Sequence, residues 1–285
     1  MAILIYSLRK YIVRKNNAEG ISYEGLETDT YHKKRAACGV LGLLLLAAAY
    51  MGVPRAAEKV FAVAEGERRL PIYCVQTEKP QVSVSFDAAW GADDTDELLR
   101  ILKENDVKAT FFLCGYWVEK YPEEVKKIAA EGHDLGNHSA THPHMSRISS
   151  EEIAQELQKC HENVKKLTGV EMELFRPPFG EYDNHVIETA EQNGYYTIQW
   201  DVDSLDWKEQ GAEAEIRQVL EHKHLGNGSI ILFHNDAKYT PKVLDTILKG
   251  IKEKGFEIVP ISQLIHRENF EMDHEGRQIP KGKDV

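Results

Sequence analysis

The chain has 285 residues, 42% of them hydrophobic, enough to build one sizeable core with an appendage. Its formal net charge is −11, and no basic stripe follows residue 80. These features exclude a nucleic-acid partner and argue against broad docking on anionic lipid or wall polymer, because both need a positive surface.

The first informative stretch is residues 36–53, AACGVLGLLLLAAAYMGV, which carries no charge and follows Lys33, Lys34 and Arg35. Its length is near the minimum for a spanning helix. The positive flank predicts that residues 1–35 stay cytoplasmic and that the chain after 53 is exported. A signal peptide cut near Ala56 and Ala57 is the competing reading. The long segment ahead of the run, and the run's own length, favour an uncleaved transmembrane anchor. The expected localisation is the cell membrane, single-pass, with the folded domain extracytoplasmic. The four cysteines leave the compartment open: Cys38, Cys74, Cys114 and Cys160 show no paired spacing, and Cys114 and Cys160 fall in apolar patterns as small core residues. Residues 54–79, with Pro54, Pro71 and mixed charges, read as a linker.

From residue 80 strand and helix patterns alternate. Residues 81–87 make a short apolar strand, and 93–105 a helix with Leu98, Leu99, Ile101 and Leu102 on its apolar face. A strand over 107–113 precedes a helix that starts at Pro122 and stops at Gly132. After a brief strand at 133–137, Ser149 and Glu152 form a capping-box pattern, and Gly169 ends the helix they open. Strands at 171–176, 195–201, 229–234 and 256–259 then alternate with helices at 184–193, 212–222 and 240–254. Residues 267–285 read as a loose polar tail. The alternation predicts an α/β fold with a parallel sheet or barrel over 80–266. Asp87, His138, Arg176, Asp201 with Asp203, and His234 all fall at C-terminal strand ends, where barrels place their chemistry; that favours a barrel over an open doubly wound sheet.

Five segments carry candidate chemistry. In Ser85-Phe86-Asp87-Ala88-Ala89-Trp90-Gly91, Asp87 ends a strand and suits a general base, although alone it reads as a turn former. In His138-Ser139-Ala140-Thr141-His142-Pro143-His144, imidazoles four apart can converge on one metal ion; His144 reads as a surface residue. In Arg176-Pro177-Pro178-Phe179-Gly180, Arg176 can hold a carboxylate, in a site or in a structural ion pair. Asp201-Val202-Asp203-Ser204-Leu205-Asp206-Trp207 offers carboxylates to orient a histidine and an aromatic to line a sugar site, or an Asp-rich turn. In Leu232-Phe233-His234-Asn235-Asp236, His234 suits an acid near neutral pH, or a core histidine.

In this order, the five segments resemble the polysaccharide deacetylase family, the NodB-homology domain of carbohydrate esterase family four, and are similar to sporulation and cell-envelope members of spore-forming Gram-positive bacteria. The resemblance implies a distorted (β/α) barrel over residues 80–266 that hydrolyses an acetamido group on an N-acetylated sugar, or in some members an acetyl ester. It implies Asp87 as the base, Arg176 as the residue positioning it, His138 and His142 as ligands of a divalent metal, zinc being the usual one, Asp203 as the carboxylate tuning the acid His234, Trp207 as a pocket wall, and Phe179 as the position whose backbone N–H holds the oxyanion. One departure stands out. The family usually has a second Asp after the base as the third metal ligand, and here that residue is Ala88. Asp93, Asp94 and His144 are the candidates near in sequence to complete the shell. The expected function is an envelope-glycan deacetylase with peptidoglycan as substrate. The alternative is a catalytically weak or inactive glycan-binding envelope protein.

Overall fold

The computed structural model of the protein describes residues 68–281. In chain order, β1 is Cys74–Val75, β2 Gln81–Ala88, α1 Thr95–Glu104, β3 Thr110–Leu113, α2 Gly115–Lys120, α3 Pro122–Ala130, β4 Asp134–Asn137 and α4 Ser150–Thr168. There follow β5 Leu174–Phe175, α5 Asn184–Gln192, β6 Tyr196–Thr197, β7 Val202–Asp203, α6 Ala212–Leu220, β8 Ile230–His234 and α7 Thr240–Glu253. The chain then closes with β9 Glu257–Ile258, α8 Ile261–Leu264, β10 Phe270–Met272 and β11 Arg277–Pro280.

The main sheet runs β6-β5-β4-β3-β2-β8-β7, every pairing parallel, with β9 pairing the start of β2. Its strands are buried on both faces, and the twofold alternation of side chains sorts them into two cores. Val82, Val84, Phe86, Phe111, Leu113, Ile231 and Phe233 pack outward with the helices, and Phe86 stacks on Phe111 and Phe233 at 5.0 and 5.6 Å. Phe112, Leu174, Ile198 and Ile230 join Ile72, Val75, Val259 and Ile261 in a second, inner cluster. Burying one such phenylalanine contributes about 2–3 kcal/mol. The inner face of β2 differs, because it carries Ser83, Ser85 and Asp87, all buried. Ser83 and Ser85 donate to the carbonyls of Val259 and Ile231 at 2.7 and 2.8 Å, so this polar face is satisfied and leads toward Asp87.

The helices begin and end where the sequence places them. Ser149 and Glu152 make the reciprocal capping box of α4, and Gly169 takes the left-handed conformation (φ 76°) that ends it. The short helix α2, which brings Trp117 into the core, lay outside the sequence expectation.

Two segments depart from expectation. Residues 72–75, assigned to a linker, pair with the domain: Ile72 bridges Ile198 in parallel, Cys74 bridges Ser229 antiparallel, and β1 pairs β11. This segment joins the β6 side of the sheet to the foot of β8. Residues 270–280, assigned to a loose tail, form the antiparallel pair β10–β11 beside β1. From Arg68 onward the chain therefore gathers into one unit that starts before residue 80 and continues past 266. Among the described residues no helix is long and apolar enough to cross a membrane; the anchor expected at 36–53 lies outside them.

Candidate active site

The C-terminal ends of the parallel strands surround a cavity of about 680 Å³. Asp87, His138, His142, Phe179, Asp203, Trp207 and His234 all line it. Arg176 stands behind Asp87, fully buried, and donates to its Oδ1 at 2.7 Å. The same guanidinium donates to Ser85 Oγ at 2.9 Å and to the Gln199 carbonyl at 3.2 Å, and lies 4.1 Å from the centroid of the Phe112 ring. Burial alone would push the Asp87 carboxyl up, but the Arg176 guanidinium, with His138 and His234, holds it below its ordinary range. Asp87 is therefore a carboxylate at neutral pH.

On the neighbouring strand β8, in register with Asp87, His234 is held by Asp206, which accepts from it twice. The ring Nδ1–H donates to Oδ1 at 2.7 Å and the backbone N–H to Oδ2 at 2.6 Å. This fixes the ring with Nδ1 protonated and frees Nε2 for other chemistry. Burial opposes a charged imidazole here, but the Asp206 hydrogen bond and charge, with Asp87 and Asp203, raise the His234 pKa above its usual value. Asp203, expected to tune this histidine, acts on it through its charge, while the carboxylate that hydrogen-bonds the ring is Asp206. The Asp203 carboxylate accepts the Leu205 N–H at 2.9 Å, capping the turn at residues 206–208 that delivers Asp206. The sequence offered the carboxylates of 201–207 together to orient a histidine, and the family resemblance singled out Asp203 among them.

The histidine pair sits on a strained loop. Ser139 and His142 have positive φ, 65° and 59°. Glu156 of α4 holds this loop through the N–H groups of Ala140 and Thr141 at 2.9 and 2.7 Å, a role with no local motif in sequence. His138 Nδ1 donates to the Arg176 carbonyl at 2.8 Å, leaving Nε2 3.7 Å from Asp87 Oδ2. The His142 ring lies 4.9 Å from that of His138 and its pKa is pushed down to about 4, chiefly by burial. Both rings are thus neutral, as metal ligands must be.

The third donor is missing. Ala88 is buried at the end of β2, and a methyl group donates no electron pair. His144 Nδ1 is committed to Glu181 Oε2 at 2.8 Å; Asp94 Oδ2 accepts the Asp236 N–H at 2.8 Å while its Oδ1 is buried without a partner, but neither residue groups with the histidine pair as a third ligand. Among the described residues no three His, Cys, Asp or Glu side chains form a set that could hold an ion. The residues present fit two imidazole ligands and do not fit the usual three-ligand centre.

Three aromatic side chains form the rim: Trp90, Phe179 and Trp207, 58%, 57% and 59% exposed. Trp90, to which sequence reasoning gave no role, lies 6.0 Å from the His142 ring and 6.1 Å from His234. Phe179 has φ 60° and stacks on His144 at 4.4 Å. The cavity therefore offers an ionised carboxylate, an imidazole whose pKa is raised above its usual value, and apolar faces for flat ligands such as sugar rings.

A parallel α/β domain with a base–arginine pair, a histidine pair and a carboxylate–histidine acid at its strand ends is of the polysaccharide deacetylase class. The family model for polysaccharide deacetylase matches residues 75–198. The uncharacterized protein YlxY of Bacillus subtilis is 36% identical over 195 residues, covering 68% of this chain and 60% of that protein's length. A peptidoglycan-N-acetylglucosamine deacetylase of Bacillus cereus is 34% identical over 190 residues, covering 65% of this chain and 68% of the relative. Among solved structures, a mutant, with restored enzymatic activity, of a CE4 family pseudoenzyme is 36% identical with a TM-score of 0.66, covering 68% of this chain and 71% of that one. The wild-type pseudoenzyme is from Bacillus anthracis. The chain belongs to the polysaccharide deacetylase family.

Proposed function

We propose that the protein hydrolyses an acetamido group on an N-acetylated envelope glycan, with peptidoglycan as the substrate class. The observation that carries this reading is that two paired groups, Asp87 held by Arg176 and His234 held by Asp206, open onto one cavity. Amide hydrolysis needs both. Asp87 takes the proton from the attacking water, and His234 gives one to the departing nitrogen. Phe179 lines the same cavity and is assigned the backbone N–H that stabilises the oxyanion, and Trp90 and Trp207, on the same lining, are assigned the flanks of the sugar. The peptidoglycan deacetylase among the relatives supports the substrate class. The same reading places the domain outside the cytoplasm, held at the membrane by residues 36–53.

A specific observation favours a second reading. Ala88 and the two-imidazole set fit a glycan-binding protein without turnover, and a related chain is called a pseudoenzyme. Acetate release from peptidoglycan, with metal analysis of the purified chain, separates the two. Acetate from the native chain, lost in Asp87→Asn and in His234→Ala, supports the hydrolase. No acetate from any N-acetylated glycan, with or without added zinc or cobalt, together with metal uptake and turnover gained in Ala88→Asp, supports the binding protein instead.

A further inference from the structure

Behind the acid histidine lies a buried chain of hydrogen bonds that hydrolysis itself does not require. Glu215 of α6 is only 4% exposed. Its Oε1 lies 2.8 Å from Oγ1 of Thr240, the fully buried first residue of α7. Thr240 Oγ1 lies 3.3 Å from Asp206 Oδ2, and Asp206 holds His234. A second carboxyl group is thus linked to the acid through one hydroxyl.

We propose that Glu215, acting through the Thr240 hydroxyl, governs how firmly His234 holds its proton, and is a positioning residue for that acid. The argument rests on proton counting. A hydroxyl has one hydrogen to give. When Glu215 is protonated, its O–H donates to Thr240 Oγ1 and the Thr240 hydrogen is free for Asp206 Oδ2. Asp206 is then better satisfied and attracts the His234 proton less. When Glu215 is ionised, Thr240 turns to donate to it. Asp206 loses that bond, a second negative charge is added behind it, and His234 keeps its proton to higher pH.

The groups facing Glu215 support a neutral-range exchange. From α7 it meets the neutral hydroxyl of Thr240, and from the 206–208 turn the carboxylate of Asp206 is the charge that acts on it. Asp203 of β7 acts one step further on, upon His234. Burial first, and then Asp206, lift the Glu215 carboxyl to about 7. Both hydroxyl orientations are therefore populated near neutrality. The two sites titrate as a coupled pair, so a protonated His234 in turn favours ionised Glu215.

This inference rests on reading His234 as the acid, but its test needs no turnover. The probe is the His234 imidazole followed by NMR against pH in the full chain. The native protein should show a second inflection near neutrality. In Glu215→Gln that inflection should vanish, and the His234 midpoint should fall by about half a pH unit or more. Thr240→Val keeps both carboxyls and removes the relay, and should shrink the inflection while thermal unfolding remains cooperative. An unchanged His234 titration in both variants overturns the proposal, whatever acetate release shows. Absence of acetate release with the titration behaving as stated would instead remove the hydrolase reading and leave the coupling intact.

Discussion

Asp206 and Asp203 stand three residues apart on the same rim, and only Asp206 meets His234. Asp206→Asn replaces the carboxylate facing the ring Nδ1–H by a neutral amide. If the site turns over, acetate release should fall by about 10²-fold or more, and the pH limit set by His234 should move down. Asp203→Asn should cost far less, since its carboxylate caps a turn at the Leu205 N–H. Comparing the two pH profiles checks this. Arg176 is the other decisive residue. Arg176→Met leaves Asp87 as a buried charge without its partner, which should cost about 3–5 kcal/mol in urea unfolding. Adding Asp87→Asn should recover much of that loss. The sign with pH follows from the lowered Asp87 pKa: its stabilisation is present above the unfolded value of 3.8 and is lost as pH falls through the folded value. At this scale part of the site was legible, because Asp87 and His234 each end a strand whose apolar pattern is plain, whereas His138 and Arg176 were found through their local motifs. Asp206 was not, because its turn, entered through Leu205 at φ 55°, has no hydrophobic period to place it.

The elements are as legible as their patterns are long. Helix α4 carries its own caps and four buried residues at helical spacing, Ile153, Leu157, Cys160 and Val164, and its ends match the sequence closely. Helix α2 runs only from Gly115 to Lys120, and its Tyr-Trp-Val content suits a strand as well as a helix. Two-residue strands such as β5, β6 and β7 are too short for any period to register, so 171–176 and 195–201 were drawn too long. The β7–β8 junction also has a cost written into it. Asp201 accepts the Ile230 N–H at 2.8 Å and the Ser229 hydroxyl at 3.1 Å, yet burial lifts its carboxyl from 3.8 to about 6. Between those values the unfolded chain ionises while the folded one does not. Stability therefore falls as pH rises from about 4 to 6, by roughly 3 kcal/mol at 1.36 kcal/mol per unit. An asparagine can accept from Ile230 and donate to Ser229, so it keeps the bonds without the charge. Asp201→Asn should match the native chain at pH 4 and exceed it at pH 8, as urea unfolding at the two values measures.

At the scale of the whole described unit, its first and last segments meet to complete the fold. Residues 72–75 tie the β6 side of the sheet to β8, and β11 returns to pair with β1. The fit is close: a Cβ on Gly228, whose φ is 83°, would come within 1.7 Å of the Val75 carbonyl oxygen. The sequence hid this closure, because the segments that make it are short and mix apolar with charged residues, as in Phe270-Glu271-Met272, the look of an exposed edge. Yet Gln278 is fully buried, and its side chain bonds the N–H and carbonyl of His266. Removing residues 267–285 would therefore take away β1's partner and leave the backbone of His266 unpaired within the fold. Had the tail been loose, that truncation would leave the unfolding temperature unchanged. With β11 in place as a closing strand, the loss should reach about 3 kcal/mol, a fall of roughly 6–12 °C for a domain of this size. Scanning calorimetry of the truncated and full chains decides between these outcomes.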